Sequence, residues 1–151
     1  MYSENIKLWK TVVSRCLPNK DNIIVTVCGD SMRPIICNGD KVKVILQKND
    51  QYSIGDVIVF PYKDEGLIIH RLLKIQYGRY FCKGDNSFRI EDIPLDQVIG
   101  KAVISDDWHN SESFTERSLA IGMLYKKMGY KSSLIRETTV YREYEKTYLI
   151  K

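Results

Sequence analysis

Apolar and polar positions change rhythm twice along the chain. Over residues 3 to 17 the apolar side chains Ile6, Trp9, Val12, Val13, Cys16 and Leu17 recur at helical spacing, and Pro18 with Asn19 breaks the pattern. The spacing predicts a short amphipathic helix that lies on the domain, on a membrane surface or on a partner, the domain being the first expectation. From Ile23 to about Ile104 the texture becomes short β-branched runs punctuated by Gly39-Asp40, Gly55-Asp56 and Gly84-Asp85, each a turn signal. Strands are predicted over Ile23–Cys28, Lys41–Leu46, Asp56–Pro61, Leu67–Gln76, Tyr80–Lys83 and Val98–Ile104. Beyond Trp108 the period returns to helical. Ser113 followed three residues later by Glu116 reads as a capping box, and Gly129 as the helix end. Tyr141, Tyr144 and Tyr148 share one face of a further helix, read as a packing surface. The predicted fold is mainly β, organised as an N-terminal helix (1–22), a β-domain (23–104) and a helical C-terminal extension (105–151) flanking the same domain.

Length and composition narrow the picture. The 151 residues suffice for one hydrophobic core, and 44% hydrophobic with 28% charged residues is ordinary for a globular chain. The net charge of +4 is spread along the sequence, including eight Lys or Arg against five Asp or Glu after residue 110, so no nucleic-acid arm is expected. Cys16, Cys28, Cys37 and Cys82 form no CxxC pair and have no histidine at metal-ligand spacing, which predicts free thiols and neither metal nor cofactor. The apolar runs Val57–Phe60 and Leu67–Ile69 fall far short of the roughly 20 residues that span a bilayer. A cytoplasmic or peripheral membrane location is therefore expected.

Candidate chemistry concentrates in Val27-Cys28-Gly29-Asp30-Ser31-Met32-Arg33-Pro34. A turn here leaves Ser31 at a strand end with its own N–H free, an arrangement suited to a nucleophile and an oxyanion donor. A neutral hydroxyl needs a base, and the chain offers two histidines, His70 and His109. His70 is flanked by Leu67, Ile68, Ile69, Leu72 and Leu73, whose burial would disfavour the imidazolium and keep the ring ready to accept a proton. His109 sits in the polar stretch Asp106-Asp107-Trp108-His109-Asn110 and reads as a surface histidine.

In order along residues 23 to 104, these segments resemble the signal-peptidase/LexA superfamily of serine peptidases. Val27 to Pro34 is similar to its nucleophile box, Gly39-Asp40-Lys41-Val42 and Gly55-Asp56-Val57-Ile58-Val59 to two strand starts, and His70-Arg71 to its base box. Lys83-Gly84-Asp85-Asn86 resembles the acidic box, and Val98-Ile99-Gly100-Lys101-Ala102 the closing strand. The self-cleaving repressors and most bacterial signal peptidases use lysine as base, whereas the endoplasmic-reticulum type uses histidine, which this chain resembles. The resemblance implies a LexA/signal-peptidase-like β-domain with Ser31 as nucleophile and His70 as base. Asp85 is the first candidate to orient the imidazole, and Asp92, in competition with Glu91, the second acidic residue. It places Gly29, Asp30, Met32 and Pro34 at the oxyanion and substrate-binding turn. Gly29-Asp30 stands where signal peptidases carry Ser-Gly, so the oxyanion hole falls to backbone N–H groups and the Asp30 carboxylate is expected to point away.

The activity implied is an endopeptidase that removes a leader or signal segment from a peptide precursor. The substrate would bind as an added strand, with a small residue before the cut. The expected partner is that peptide or protein substrate, and contact with a membrane or transporter stays open. The alternative is a catalytically silent peptide-binding module of the same fold. A self-cleaving repressor is disfavoured, because the 22 residues before the β region are too few for a helix-turn-helix domain and linker.

Overall fold

In the computed structural model, residues 4–12, 15, 19, 21–46 and 52–150 are described. Seven strands form one antiparallel sheet: β1 (Asn22–Thr26), β2 (Lys41–Leu46), β3 (Val57–Pro61), β4 (Leu67–Gln76), β5 (Arg79–Lys83), β6 (Ile90–Pro94) and β7 (Gly100–Ala102). Their spatial order is β1-β2-β7-β3-β4-β5-β6, so β1 and β6 are the edges. Strand β3 lies inside the sheet between β4 and β7, and all five of its residues are buried, as its unbroken apolar run implies. Strand β2 alternates between exposed Lys41 and Lys43 and buried Val42 and Val44, the pattern of a strand with one wet face.

Two of the predicted strands coincide with β2 and β4, and three others differ at their ends by one to two residues. The last, predicted over Val98–Ile104, contracts to Gly100–Ala102 because Leu95–Gln97 form a 3-10 turn ahead of it. Strand β6 is absent from the sequence-based prediction, and it proves to matter for the site. Helix α1 (Glu4–Thr11) buries Ile6 and packs against β3, with Asn5 Nδ2 donating to Gly66 O at 3.2 Å. The remainder of the predicted N-terminal helix, including Val13, Cys16 and Leu17, lies outside the described residues.

The C-terminal region comprises α2 (Glu112–Lys127), α3 (Ser132–Arg136), α4 (Thr139–Tyr144) and a π-helical turn over Glu145–Leu149. The N-cap of α2 is Ser111, whose Oγ accepts from Phe114 N at 3.2 Å. The predicted cap, Ser113, already lies inside the helix, with its hydroxyl 3.4 Å from that of Tyr148. The helix stops before Gly129, which adopts φ +70° and lets Tyr130 N return to Tyr125 O at 2.9 Å. Tyr141 and Tyr144 are buried with Phe114, Ile121 and Ile135, and Tyr148 packs against that cluster, so the tyrosine stripe is packing surface. Helix α2 covers one face of β4, β5 and β6.

Candidate active site

Ser31 lies in the turn that follows β1. Gly29 N–H donates to Asn38 Oδ1 at 2.8 Å, Arg33 N to Asp30 O at 3.2 Å and Ile36 N to Met32 O at 3.0 Å, which winds residues 29 to 36 into a tight loop. Buried Met32 and Ile36 anchor it on Val42, Val57 and Ala102. A second loop, after β5, straps the first: Asn86 N donates to Ser31 O at 2.7 Å and Asn86 Nδ2 to Asp30 O at 3.1 Å. The Ser31 turn is thus fixed from both sides, and no acceptor among the described residues takes the Ser31 N–H.

His70 is in the middle of β4 and only 6% exposed. Its Nε2 stands 3.0 Å from Ser31 Oγ, and its Nδ1 is hydrogen-bonded to Glu91 Oε1. The three side chains come from the post-β1 turn, β4 and β6. Strand register explains the meeting. Continuing the β4–β5 ladder one step past Arg71↔Lys83 brings Gly84 opposite His70, leaving the space over β5 empty of a side chain. A Cβ on Gly84 would lie 2.6 Å from Ser31 O and 2.9 Å from His70 Nε2, so the pair requires glycine here.

Glu91 is completely buried, and its second oxygen, Oε2, accepts from Arg89 Nε at 3.1 Å. Asp92, expected as the second acidic residue, points the other way. Consecutive residues of a strand face opposite sides, and Asp92 is exposed between buried Glu91 and buried Ile93. Asp92 pairs with Arg79 on the surface and does not reach His70.

Asp85 does not orient His70 either. Both its oxygens are taken: Arg71 Nε and Nη2 donate to them at 2.9 Å each, and His109 Nδ1 lies 3.1 Å from Oδ2. Arg71 follows His70 on β4 and so faces the opposite side of the sheet, where its wholly buried guanidinium also forks onto Asp107 at 2.9 Å. Burial alone would push the Asp85 carboxyl up, but the hydrogen bonds from His109 and Arg71 outweigh it and hold it below the usual value. His109, read as a surface histidine, is fully buried. Its Nε2 meets Tyr148 O at 2.8 Å and its ring stacks on Phe114 at 4.1 Å, because the C-terminal helices close over what is a polar loop in sequence. Lys83 joins the same face, its Nζ donating to Gly84 O and Ser87 O, and burial pushes its pKa down to about 8.

Two hollows meet at Ser31 and His70. The first, about 280 Å³, is walled by Val25 to Cys28 of the edge strand side, Met32, Ile36, Val59 and Leu67 to Ile69, and is largely apolar. Among the described residues, Leu67 to Ile69 pair with β3 alone, which leaves their other edge open to a further strand. Of the four residues expected at the oxyanion and substrate-binding turn, Met32 lines this hollow. Gly29, Asp30 and Pro34 do not. Asp30 is exposed, with its carboxylate 3.8 Å from the Arg33 guanidinium. The second hollow, about 630 Å³, is lined mostly by polar residues, among them Glu65, Asn86, Arg89, Glu91 and Arg136, with Ile68, Phe88 and Tyr125 beside them.

The described cysteines, Cys28, Cys37 and Cys82, are free, and Cys16 lies outside the described residues. Among the described residues no helix is long and apolar enough to cross a membrane.

An antiparallel β fold that sets a strand-borne histidine against a turn-borne serine defines a serine-peptidase-like domain. The sequence profile of the Peptidase S24-like family matches residues 2–103, and the chain belongs to that family. No curated protein matches it. The matched span ends before α2, so the helices that seal Arg71, Asp85 and His109 lie beyond it.

Proposed function

We propose that the protein is a serine endopeptidase in which Ser31, His70 and Glu91 act as nucleophile, base and orienting carboxylate, and that it removes a leader or signal segment from a peptide precursor. The observation that carries this reading is the unbroken chain Ser31 Oγ, His70 Nε2, His70 Nδ1, Glu91 Oε1. With Nδ1–H donating to Glu91, the neutral ring presents an unprotonated Nε2 to the serine hydroxyl, the tautomer a general base requires. As Ser31 Oγ attacks a peptide carbonyl, its proton passes to Nε2, and Glu91 stabilises the imidazolium that results. The Ser31 N–H, which no acceptor among the described residues takes, donates to the oxyanion in this reading. Collapse of the tetrahedral intermediate breaks the C–N bond, and His70 returns the proton to the leaving amine. A water then enters by the same route and releases the acyl group from Ser31.

Substrate geometry follows from the apolar hollow. An extended segment laid between the edge of β1 and the open edge of Leu67 to Ile69 is bound through its main chain, with a small apolar residue seated above Met32 and Ile36. The test is hydrolysis of internally quenched peptides of alternating Ala and Val, with cut positions read by mass spectrometry. The expected result is cleavage by the intact chain and loss of at least about 10³-fold in kcat/KM in Ser31→Ala and His70→Ala. Binding of those peptides without cleavage by the intact chain would favour the silent module instead.

A further inference from the structure

The polar hollow shares Ser31, Ile68 and His70 with the apolar one, and Tyr125, Ser132 and Arg136 of the C-terminal helices contribute to its wall. It contains two arginines in different situations. Arg89 is fully engaged: its Nη1 and Nη2 donate to Glu65 at 2.8 and 2.9 Å and its Nε to Glu91 at 3.1 Å. Arg136, from α3, has no carboxylate partner among the described residues. It is nevertheless held in place, its guanidinium 5.0 Å from the Phe88 ring and 5.8 Å from that of Tyr141, with Nη1 donating to the Tyr141 hydroxyl at 3.4 Å. This exposed guanidinium rests on two rings that themselves touch, so it is already partly ordered and pairing it with an incoming anion costs less than ordering a free side chain.

We infer that Arg136 is a specificity residue for the leaving-group side of the peptide, selecting substrates with an acidic side chain within a few residues after the cut. This inference rests on the endopeptidase reading, in which the apolar hollow takes the acyl side and the polar one the departing amine. Glu65 and Glu91 are both engaged by Arg89, which leaves Arg136 as the cation of that hollow with no carboxylate partner among the described residues. Because α3 lies beyond the matched span of residues 2–103, the preference belongs to this chain's extension and not to the shared β-domain.

The test uses quenched Ala/Val peptides in which each of the first four positions after the centre carries Glu, Gln or Lys in turn. Hydrolysis is measured with the intact chain and with Arg136→Gln and Arg136→Lys. Binding of the same peptides to Ser31→Ala is read by fluorescence anisotropy. At one position the Glu peptide should exceed its Gln counterpart by about threefold to tenfold in kcat/KM. That ratio should fall to about one in Arg136→Gln and persist in Arg136→Lys. A ratio near one in the intact chain, or one that survives Arg136→Gln, overturns the inference while leaving the peptidase reading in place. A Glu preference in binding to Ser31→Ala, with no hydrolysis by the intact chain, upholds the anion subsite and overturns the peptidase reading.

Discussion

Consecutive residues of β4 start two histidine–carboxylate clusters on opposite faces of one sheet, and their fates differ. On one face His70 is bonded to Glu91, and its other nitrogen meets Ser31 at the junction of two hollows. On the other, Arg71 leads to Asp85 and His109, and His109's second nitrogen ends on the carbonyl of Tyr148 beneath the C-terminal helices. Both histidines have a carboxylate on Nδ1. What separates a candidate catalytic group from a structural one is the atom at Nε2: a hydroxyl that can lose its proton in the first case, and a carbonyl that has none in the second. The open cluster presents its histidine to a cleft, whereas the sealed cluster pairs its charges internally and braces the loop that straps Ser31.

Substitutions on each side should therefore produce different kinds of damage. The largest effect is expected for Glu91→Gln, which keeps the shape but lets the ring adopt the wrong tautomer. A fall in kcat of about 10³- to 10⁴-fold, with the thermal midpoint little changed, should be seen in peptide hydrolysis. Asp85→Asn should reverse that balance. Leaving the buried Arg71 with only one of its two bidentate carboxylate partners, Asp107, should cost about 3 kcal/mol in urea unfolding. Because the folded-state carboxyl of Asp85 titrates below its usual value, its contribution is present above the ordinary carboxylate range and fades as the pH drops. The acid branch of the stability curve should accordingly flatten in Asp85→Asn.

Gly84→Ala falls at the seam between the clusters. Forcing a methyl between Ser31 O and His70 Nε2 should lower kcat by about 10²-fold, since small displacements of reacting groups are costly. Lys83→Met probes the sealed face by pH. Burial lowers the folded-state pKa of Lys83 to about 8 from an ordinary 10.5, so between those values the unfolded chain binds more protons. The Lys83 contribution to stability therefore rises with pH over that window, and the difference between the two proteins should show the rise. The smallest effect is expected for Asp92→Asn, whose surface pair with Arg79 should leave activity within about twofold.

The sequence makes one of these faces far more legible than the other. Ser31 and His70 stand out because each lies in an ordered series of turn and strand signals, and the structure places their side chains 3.0 Å apart. The orienting acid is harder to read. Ile90-Glu91-Asp92-Ile93-Pro94 does not look like a strand, being short, acidic and closed by proline. Its burial alternates nonetheless, with Glu91 and Ile93 inside and Asp92 outside, and that period of two is the one signal that separates Glu91 from its neighbour. Asp85 misleads for a different reason: its claim on His70 is lost to Arg71, a competition visible only when strand pairing shows which face each residue occupies. His109 resembles a loop residue locally because its burial depends on Phe114 and Tyr148, which local polarity does not report.

The central claim, that Ser31 is activated through His70 and Glu91, is tested most directly by covalent labelling. A small phosphonylating probe should be incubated with the native chain, His70→Ala, Glu91→Gln and Asp85→Asn, with the modified residue located by peptide mass spectrometry. The account predicts rapid, stoichiometric modification of Ser31 in the native chain, near-complete loss in His70→Ala, strong slowing in Glu91→Gln, and reaction in Asp85→Asn wherever it remains folded. Equal labelling of Ser31 in the native chain and in Glu91→Gln, or none in the native chain while peptides are still bound, would contradict it.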